Sequence, residues 1–471
     1  MWANVIGLML AFLALGYWLG GRAADARPEP ALLGQVLLAA SLLLAVTPFA
    51  ARPLLRLALD GFNSLSVGVV AGSFIGVLAL FVLPVTLTGA VAPFAVRLAL
   101  TDVEEAGRVA GRLYALSTIG SILGTFLSAL VAIPLLGTRR TLLVTALLLA
   151  LAAAPLVRRR ALAVAAILAA TLALSPGGIK RSAGVIWEAD SQYQYIRVLQ
   201  YGDGSRALEL NEGIAQQSVW YPHSVLTGGY WDLFLVLPKL LDRPPRTMLV
   251  IGDAGGTIPR AFGRFYPGVQ IEGVELDPKV SEAGRRFLGL DAIPRLRTIT
   301  ADGRVFLERT SRRYDLVVVD AYRQPYIPFQ LATVEFFRLV HAHLAPGGVV
   351  ALNVAATPHD RRLSDAVGST LGAVFPQVWR WQALRFSDLV FAFRSPRTRG
   401  DLVRRAVTVA PQLRSLAPLF RSGLSRLATR GTAWTDDRAP VEWITDRMLA
   451  AQIARGEGLD ERLLPTLPSG G

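Results

Sequence analysis

At 471 residues the chain is too long for one ordinary core, so two or more domains are expected. Apolar residues make up 52% and charged residues 18%, with a mean hydropathy of +0.42, which excludes a purely soluble enzyme. The absence of cysteine removes disulfides, thiolate nucleophiles and Cys-type metal sites, and the net charge of +14 is carried mostly by scattered Arg without interleaved aromatics. That pattern suits an anionic membrane surface better than nucleic acid, and no nucleic-acid partner is expected.

The apolar excess lies before about residue 178. Stretches long enough to span a bilayer lie near 3–20, 31–50, 65–87, 113–136, 140–157 and 161–175, so residues 1–178 read as a helical membrane domain of about six spans. The first lacks a basic start and a small-residue cleavage site, and reads as a retained span. Gly120 and Gly124, four apart in STIGSILGTFLSAL, have the spacing that lets helix backbones approach, read here as ordinary packing within a bundle. No ionisable residue lies inside the clear spans, so the domain reads as an anchor rather than a transporter.

From about 183 the pattern changes to apolar–polar alternation with a turn at Gly202-Asp203-Gly204, a small antiparallel β unit over 183–225. The helical stretch GGYWDLFLVLPKLL follows. Then TMLVI, VQIEGVE, LRTIT, YDLVVVD and GVVALNV alternate with helix-length segments, the rhythm of a parallel sheet wrapped by helices over 226–395. The fold class is therefore a multi-pass α-helical membrane domain fused to an α/β Rossmann-like domain with a small N-terminal antiparallel β unit. The stretch 396–471 reads as a basic helical tail, broken by Pro411 and Pro418, that lies on an anionic membrane or packs on the domain.

Ligands of such sheets gather at the carboxyl ends of the strands. After TMLVI comes the turn Gly252-Asp253-Ala254-Gly255-Gly256, whose glycines let the backbone approach a ligand. Glu275 ends the next strand, where a carboxylate suits two ribose hydroxyls. Asp302-Gly303 follows LRTIT, where the acid could accept from an adenine amino group or cap the next helix. Asp320 ends YDLVVV. A glycine turn and three acids at four successive strand ends form a nucleoside site, and GDAGG, short of the full GxGxxG, fits an adenosyl sulfonium better than a pyrophosphate. His223, His341, His343 and His359 form no metal-ligand pattern, and no Gly-x-Ser-x-Gly accompanies them.

The stretches IGDAGGTIPRAF, GVELDPKV, TADGRVFL, YDLVVVDAY…IPFQLATVEFF and LAPGGVVALNV resemble spermidine synthase, the polyamine aminopropyltransferase family. With the membrane spans and TDDRAPVEWITD at 435–446, the chain is similar to the membrane-fused bacterial branch. The resemblance implies a small β domain before a seven-stranded methyltransferase-like sheet. It implies transfer of the aminopropyl group of decarboxylated S-adenosylmethionine, a co-substrate, to a putrescine-like amine, with methylthioadenosine left behind and no bound cofactor or metal. Asp320 would be the carboxylate beside the reacting nitrogen. Gln194 would contact the nucleoside with Gly252, Asp253, Gly255, Glu275, Asp302 and Gly303; Gln216, Tyr230 and Asp232 would serve the amine.

Two positions depart from the family's pattern: Ala254 stands where an acid precedes the last Gly-Gly, and Arg323 where a second acid follows the catalytic one. The nucleoside half is thus expected intact and the amine half altered. The loop arginines lean slightly toward placing the C-terminal domain outside the cytoplasm, whereas a cytosolic donor requires it inside. The donor argument gives an inner (plasma) membrane protein with a cytoplasmic catalytic domain. The lipid bilayer, the donor and a small amine are the expected partners. An adenosylmethionine-dependent methyltransferase acting on a membrane-delivered substrate and a silent nucleoside sensor stay open at this stage, as does assembly into a homo-oligomer.

Overall fold

The computed structural model describes residues 2–62, 68–100, 102–175, 184–211, 216–323, 325–429 and 431–455. It divides into two compact units, Met1–Ala183 with Ala189–Tyr193, and Gly184–Glu188 with Gln194–Gly471. The boundary expected between 178 and 183 lies outside the described residues.

The N-terminal unit holds helices α1 (Trp2–Ala26), α2 (Pro30–Phe62), α3 (Gly68–Ala99), α4 (Ala106–Leu127), α5 (Ile133–Ala152) and α6 (Ala154–Leu174). Among the described residues four helical stretches are long and apolar enough to cross a membrane: Val5–Ala26, Pro30–Ala51, Leu78–Ala99 and Ala106–Ala152. The last runs α4 into α5 and is broken at Gly137, whose φ of 79° and ψ of 161° are not helical. Phe94, Leu143, Ala146, Ala150 and Ala161 form the centre of this unit, and Ser41 Oγ donates to Ala146 O at 2.7 Å, tying α2 to α5. The expected packing role of Gly120 and Gly124 is corrected here. A Cβ at either would meet nothing within 4 Å, whereas one at Gly16 on α1 would run into Thr86 and Gly89 on α3. Close backbone approach in this bundle belongs to α1 and α3, because their glycines meet glycine and backbone rather than bulky side chains.

The second unit opens with a four-stranded antiparallel sheet in the order β1 (Val185–Asp190), β2 (Tyr195–Gln200), β3 (Arg206–Leu210), β4 (Gln216–Trp220). The turn read at Gly202–Gly204 joins β2 to β3, and Gly204 has the positive φ of 81° that such a turn favours in glycine. Ile196, Val198, Leu208 and Leu210 bury one face.

The large sheet follows: β5 (Thr247–Ile251), β6 (Gln270–Glu275), β7 (Leu296–Thr300), β8 (Tyr314–Val319), β9 (Leu344–Ala355), β10 (Val378–Trp381), β11 (Ser387–Phe393) and β12 (Leu424–Arg426). Its order is β12-β10-β11-β9-β8-β5-β6-β7, with β9, β8, β5, β6 and β7 parallel and β11, β10 and β12 added by antiparallel pairing. The central strands bury both faces, so their sequences are nearly continuous apolar runs. Met248 and Val250 enter one core, Leu249 and Ile251 the other.

The sheet has eight strands where the resemblance implied seven, and the core extends past residue 395. Helices Arg399–Ala406 and Leu416–Gly423 bury Leu402, Leu416 and Phe420, Leu413 is buried between them, and β12 completes the sheet edge. Of the two readings of the basic tail, the structure takes packing on the domain: its apolar residues are spent on the core, and Arg397 and Arg405 pair with Asp242. Beyond it, Trp434, Val441 and Met448 enter the second core, carried by the segment that ends in helix Val441–Ala454.

Candidate active site

The chain lays down β5, β6 and β7 in one direction, then returns to place β8 and β9 on the other side of β5. The gap between β5 and β8 is thus the switch point at which open α/β sheets bind ligands. The two loops leaving it touch. Asp320 N donates to Ile251 O at 2.9 Å, and a Cβ on Gly252 would come within 2.6 Å of Ala321 Cα and Asp320 O. Gly252 also has a φ of 88°. Both facts require glycine here.

Asp320 sits half-buried past the end of β8 in a ring of neutral donors. Tyr230 OH donates to Oδ2 at 3.0 Å, Asn353 Nδ2 donates to Oδ1 at 3.2 Å, and the Trp231 side chain adds another hydrogen bond. Tyr230 and Trp231 open the 3-10 helix Tyr230–Val236, their ring centroids 4.5 Å apart. Asn353 lies near the carboxyl end of β9, and Ser387 Oγ donates to its Oδ1, which turns the amide so that its NH2 faces Asp320. Burial pushes the Asp320 carboxyl up to about 7, against the pull of Asn353, Tyr230 and Trp231. A carboxylate of that basicity can take a proton near neutral pH, the range in which a general base is effective. Asn353, Ser387 and Trp231 were missed from the sequence. The signal was present for Asn353, a polar residue interrupting a buried apolar run near the end of β9.

Across β5 the glycine turn is held from two sides. Glu275, buried at the end of β6, accepts from Ala254 N and from Asp277 N, each at 3.0 Å. Gly255 N donates to Ser218 Oγ on β4 at 2.8 Å, and a Cβ at Gly255 would press on Ser218 and Leu288. A backbone hydrogen bond from Leu276 joins those from Ala254 and Asp277, so three amides hold the Glu275 carboxylate in place. Burial raises its pKa. Ala254 takes a positive φ of 46°, an uncommon conformation for a residue with a side chain. Asp253 is placed differently from expectation. Its carboxyl is buried against Gly273, where any side chain would overlap it, with neither oxygen hydrogen-bonded among the described residues. Burial, then the Glu275 charge, push it up to about 8, with Arg260 opposing. Asp253 therefore sits beneath the turn, its burial favouring the protonated form.

The other expected residues divide. Asp302 caps helix Gly303–Arg309, its Oδ1 accepting from Arg304 N at 2.9 Å and Val305 N at 3.0 Å. Gly303 is bare because a Cβ would overlap Ile251 on β5. Asp232 is corrected as an amine ligand. It is fully buried, and its oxygens accept from Thr227 N, Thr227 Oγ1 and Gly228 N, so it fastens the turn before Tyr230. Gln216, at the start of β4, donates through Nε2 to Tyr201 OH at 3.0 Å, and Gln194 lies in the loop between β1 and β2. Arg323 is exposed, its backbone paired in both directions with Tyr326. The structure thus unites Asp320, Tyr230 and Gly252 at one place, and Glu275 with the glycine turn beside it.

Comparison with known proteins bears on the same segment. The spermine/spermidine synthase domain matches residues 229–383, from Gly229 before Tyr230 through the end of β10. A probable polyamine aminopropyl transferase of Bifidobacterium longum is 35% identical over 213 residues, 44% of this chain and 47% of that protein, so the match spans about half of that relative. The polyamine aminopropyltransferase of Vibrio vulnificus is 31% identical over 216 residues, 44% of this chain and 71% of that protein. The crystal structure of a probable spermidine synthase from Corynebacterium glutamicum aligns with 61% of this chain and 100% of its own, at a TM-score of 0.41 and 17% identity. With seven-tenths of the Vibrio protein covered at 31% identity, and the family domain spanning Tyr230, Asp320 and Asn353, the chain belongs to the polyamine aminopropyltransferase, or spermine/spermidine synthase, family.

Proposed function

We propose that this chain is a membrane-anchored aminopropyltransferase that moves the aminopropyl group of decarboxylated S-adenosylmethionine to an amine, with the catalytic unit facing the cytoplasm. The observation that carries it is Asp320: a carboxyl with a pKa of about 7, fixed by Tyr230, Trp231 and Asn353 at the β5/β8 switch point. An alkylamine has a pKa of about 10 and is mostly protonated at neutral pH. Asp320 draws the ammonium in and accepts its proton. The freed nitrogen lone pair attacks the carbon next to the sulfonium, the C–N bond forms as the C–S bond breaks, and the electron pair goes to sulfur. Methylthioadenosine leaves uncharged.

In this reading Glu275 holds the ribose hydroxyls and Asp302 and Gly303 border the base, while Gly252 and Gly255 let the donor lie close to the backbone. Gln194 adds a nucleoside contact, and Gln216 stands at the edge of the amine side with Tyr230. The four long apolar stretches supply the anchor.

The test uses full-length protein in detergent, decarboxylated S-adenosylmethionine and a panel of amines from putrescine to agmatine and spermidine, following methylthioadenosine release. Amine-dependent release that Asp320→Asn abolishes, with methylthioadenosine binding kept, is the expected result. No release with any amine, together with turnover of S-adenosylmethionine itself, would overturn the reading in favour of methyl transfer.

A further inference from the structure

The loop that follows Asp320 is short and tied back on itself. Arg323 N donates to Tyr326 O at 2.8 Å, and Tyr326 N donates to Arg323 O at 3.0 Å. Its two ends are fixed to the core: Tyr322 OH donates to Asn353 O and accepts from Ala355 N, each at 3.0 Å, and Ile327 is buried. Between these ends, the Tyr326 hydroxyl reaches out of the loop and donates to Asp446 Oδ1 at 2.6 Å. That contact raises the pKa of Tyr326, after burial, since losing the phenol proton would face the carboxylate.

Asp446 is a firm partner because its helix is anchored independently. Val441 and Met448 bury one side of that helix in the second core. Upstream, Trp434 is buried, and Val334 N donates to Trp434 O at 2.8 Å. Asp436 takes a bidentate pair from Arg304, at 2.8 and 2.7 Å, and a hydrogen bond from Thr333 Oγ1 at 2.8 Å. Arg304 lies in the first turn of the helix that Asp302 caps. One segment therefore grips the donor side of the site through Arg304 and the acceptor side through Tyr326.

We propose that residues 434–454 form a brace, and that Tyr326 and Asp446 are positioning residues that hold the loop after Asp320 in the shape that binds the acceptor amine. The kinetic part rests on the aminopropyltransferase reading; the brace itself does not. Neither residue reaches the reacting atoms, so the pair governs acceptor affinity rather than the chemical step.

The experiment compares full-length wild type with Tyr326→Phe, Asp446→Asn and the double variant by hydrogen exchange and by steady-state kinetics. Exchange of peptides covering 321–328 is expected to quicken roughly fivefold in each variant, the loss of one solvent-exposed hydrogen bond, with the sheet unchanged. The acceptor KM is expected to rise by a similar factor while kcat and the donor KM hold. The double variant is expected to match the singles, because both remove the same bond. Unchanged exchange in 321–328 overturns the brace whether or not the protein turns over. Faster exchange with both KM values unmoved, or moved together, overturns its role in acceptor binding. Wild type inactive on every amine would refute the aminopropyl reading, and the exchange measurement would still decide the brace.

Discussion

Removing the Tyr230 hydroxyl is expected to move the pH dependence of the reaction rather than its ceiling. Tyr230→Phe keeps the ring beside Trp231 and deletes the donor 3.0 Å from Asp320 Oδ2. A hydrogen bond to an ionised group contributes about 1.5–3 kcal/mol, and about 1.4 kcal/mol is one pKa unit. The bond favours the charged form, so its loss raises the carboxyl from about 7 by roughly 1 to 2 units. Asp320 works as a base only when deprotonated, so activity falls as pH drops through its pKa. Wild-type kcat should therefore lose half its plateau near pH 7 and the variant near pH 8 to 9, with a tenfold or greater deficit at pH ~6.5 that closes at high pH. Methylthioadenosine release at saturating amine from about pH 6 to 10 reads the limb directly, and the same amine is used throughout so that its own ionisation cancels. Asn353→Ala should shift the limb the same way by less, since its 3.2 Å bond is longer. A variant whose plateau falls while the limb stays near 7 would refute the reasoning and assign Tyr230 to the substrate instead.

Asp320→Asn should alter stability with a defined sign. The folded carboxyl at about 7 lies above its ordinary value near 4, so the folded protein holds that proton more tightly and wild-type stability falls as pH rises from about 4 to 7. The variant should lose that slope, a difference of up to about 4 kcal/mol at pH 8, read as a larger gain in Tm at pH ~8 than at pH ~4.5; equal gains would refute it. Gly252→Ala should abolish turnover, because a side chain at φ 88° also collides with the Asp320 backbone; near-normal activity would show that the two loops can separate. Asp232→Ala should lower stability by about 1–3 kcal/mol through the unsatisfied Thr227 and Gly228 amides, with acceptor KM unchanged in the folded fraction; a selective KM rise would restore Asp232 to the amine. Arg323→Asp should lower the KM for a diamine by roughly two- to fivefold, the worth of one exposed charge contact, and no change would place Arg323 away from the bound amine.

The sheet was readable because its strands are buried on both faces: YDLVVV and GVVALNV can be little else when bounded by polar turns. Asp320 was readable for the same reason, as a charge where the run ends. The residues around it were harder. Tyr230 could be placed by resemblance, but its neighbour Asp232 has a purely local fate, taken up by two amides a few positions upstream, and no spacing rule distinguishes that from a ligand. Asp253 was placed by resemblance among the nucleoside contacts, and no pattern reveals that the bare Cα of Gly273 on the neighbouring strand makes room for its carboxyl. In the tail, Pro411 and Pro418 broke the helical period into pieces, and the density of Arg hid the apolar set Leu402, Leu413, Leu416 and Phe420. Gly120 and Gly124 carry the right spacing on a helix whose face meets nothing in the fold, while the working glycines, Gly16 and Gly89, sit on different helices and share no motif.

The brace at 434–454 also sets the order in which this protein can be made. The second core lies open along α-helical faces until Trp434, Val441 and Met448 arrive to close it, and the sheet edge at β10 is unpaired until β12 is laid on it. During synthesis the long apolar helices emerge first and the site-bearing strands next, so a chain with Asp320 already made still exposes apolar side chains and a free strand edge. Contacts of such long sequence separation form late and slowly. The second unit's core is thus completed only after translation has passed Met448, and a chain halted before that point carries every expected site residue with that core still open, a candidate for aggregation rather than a smaller folded unit.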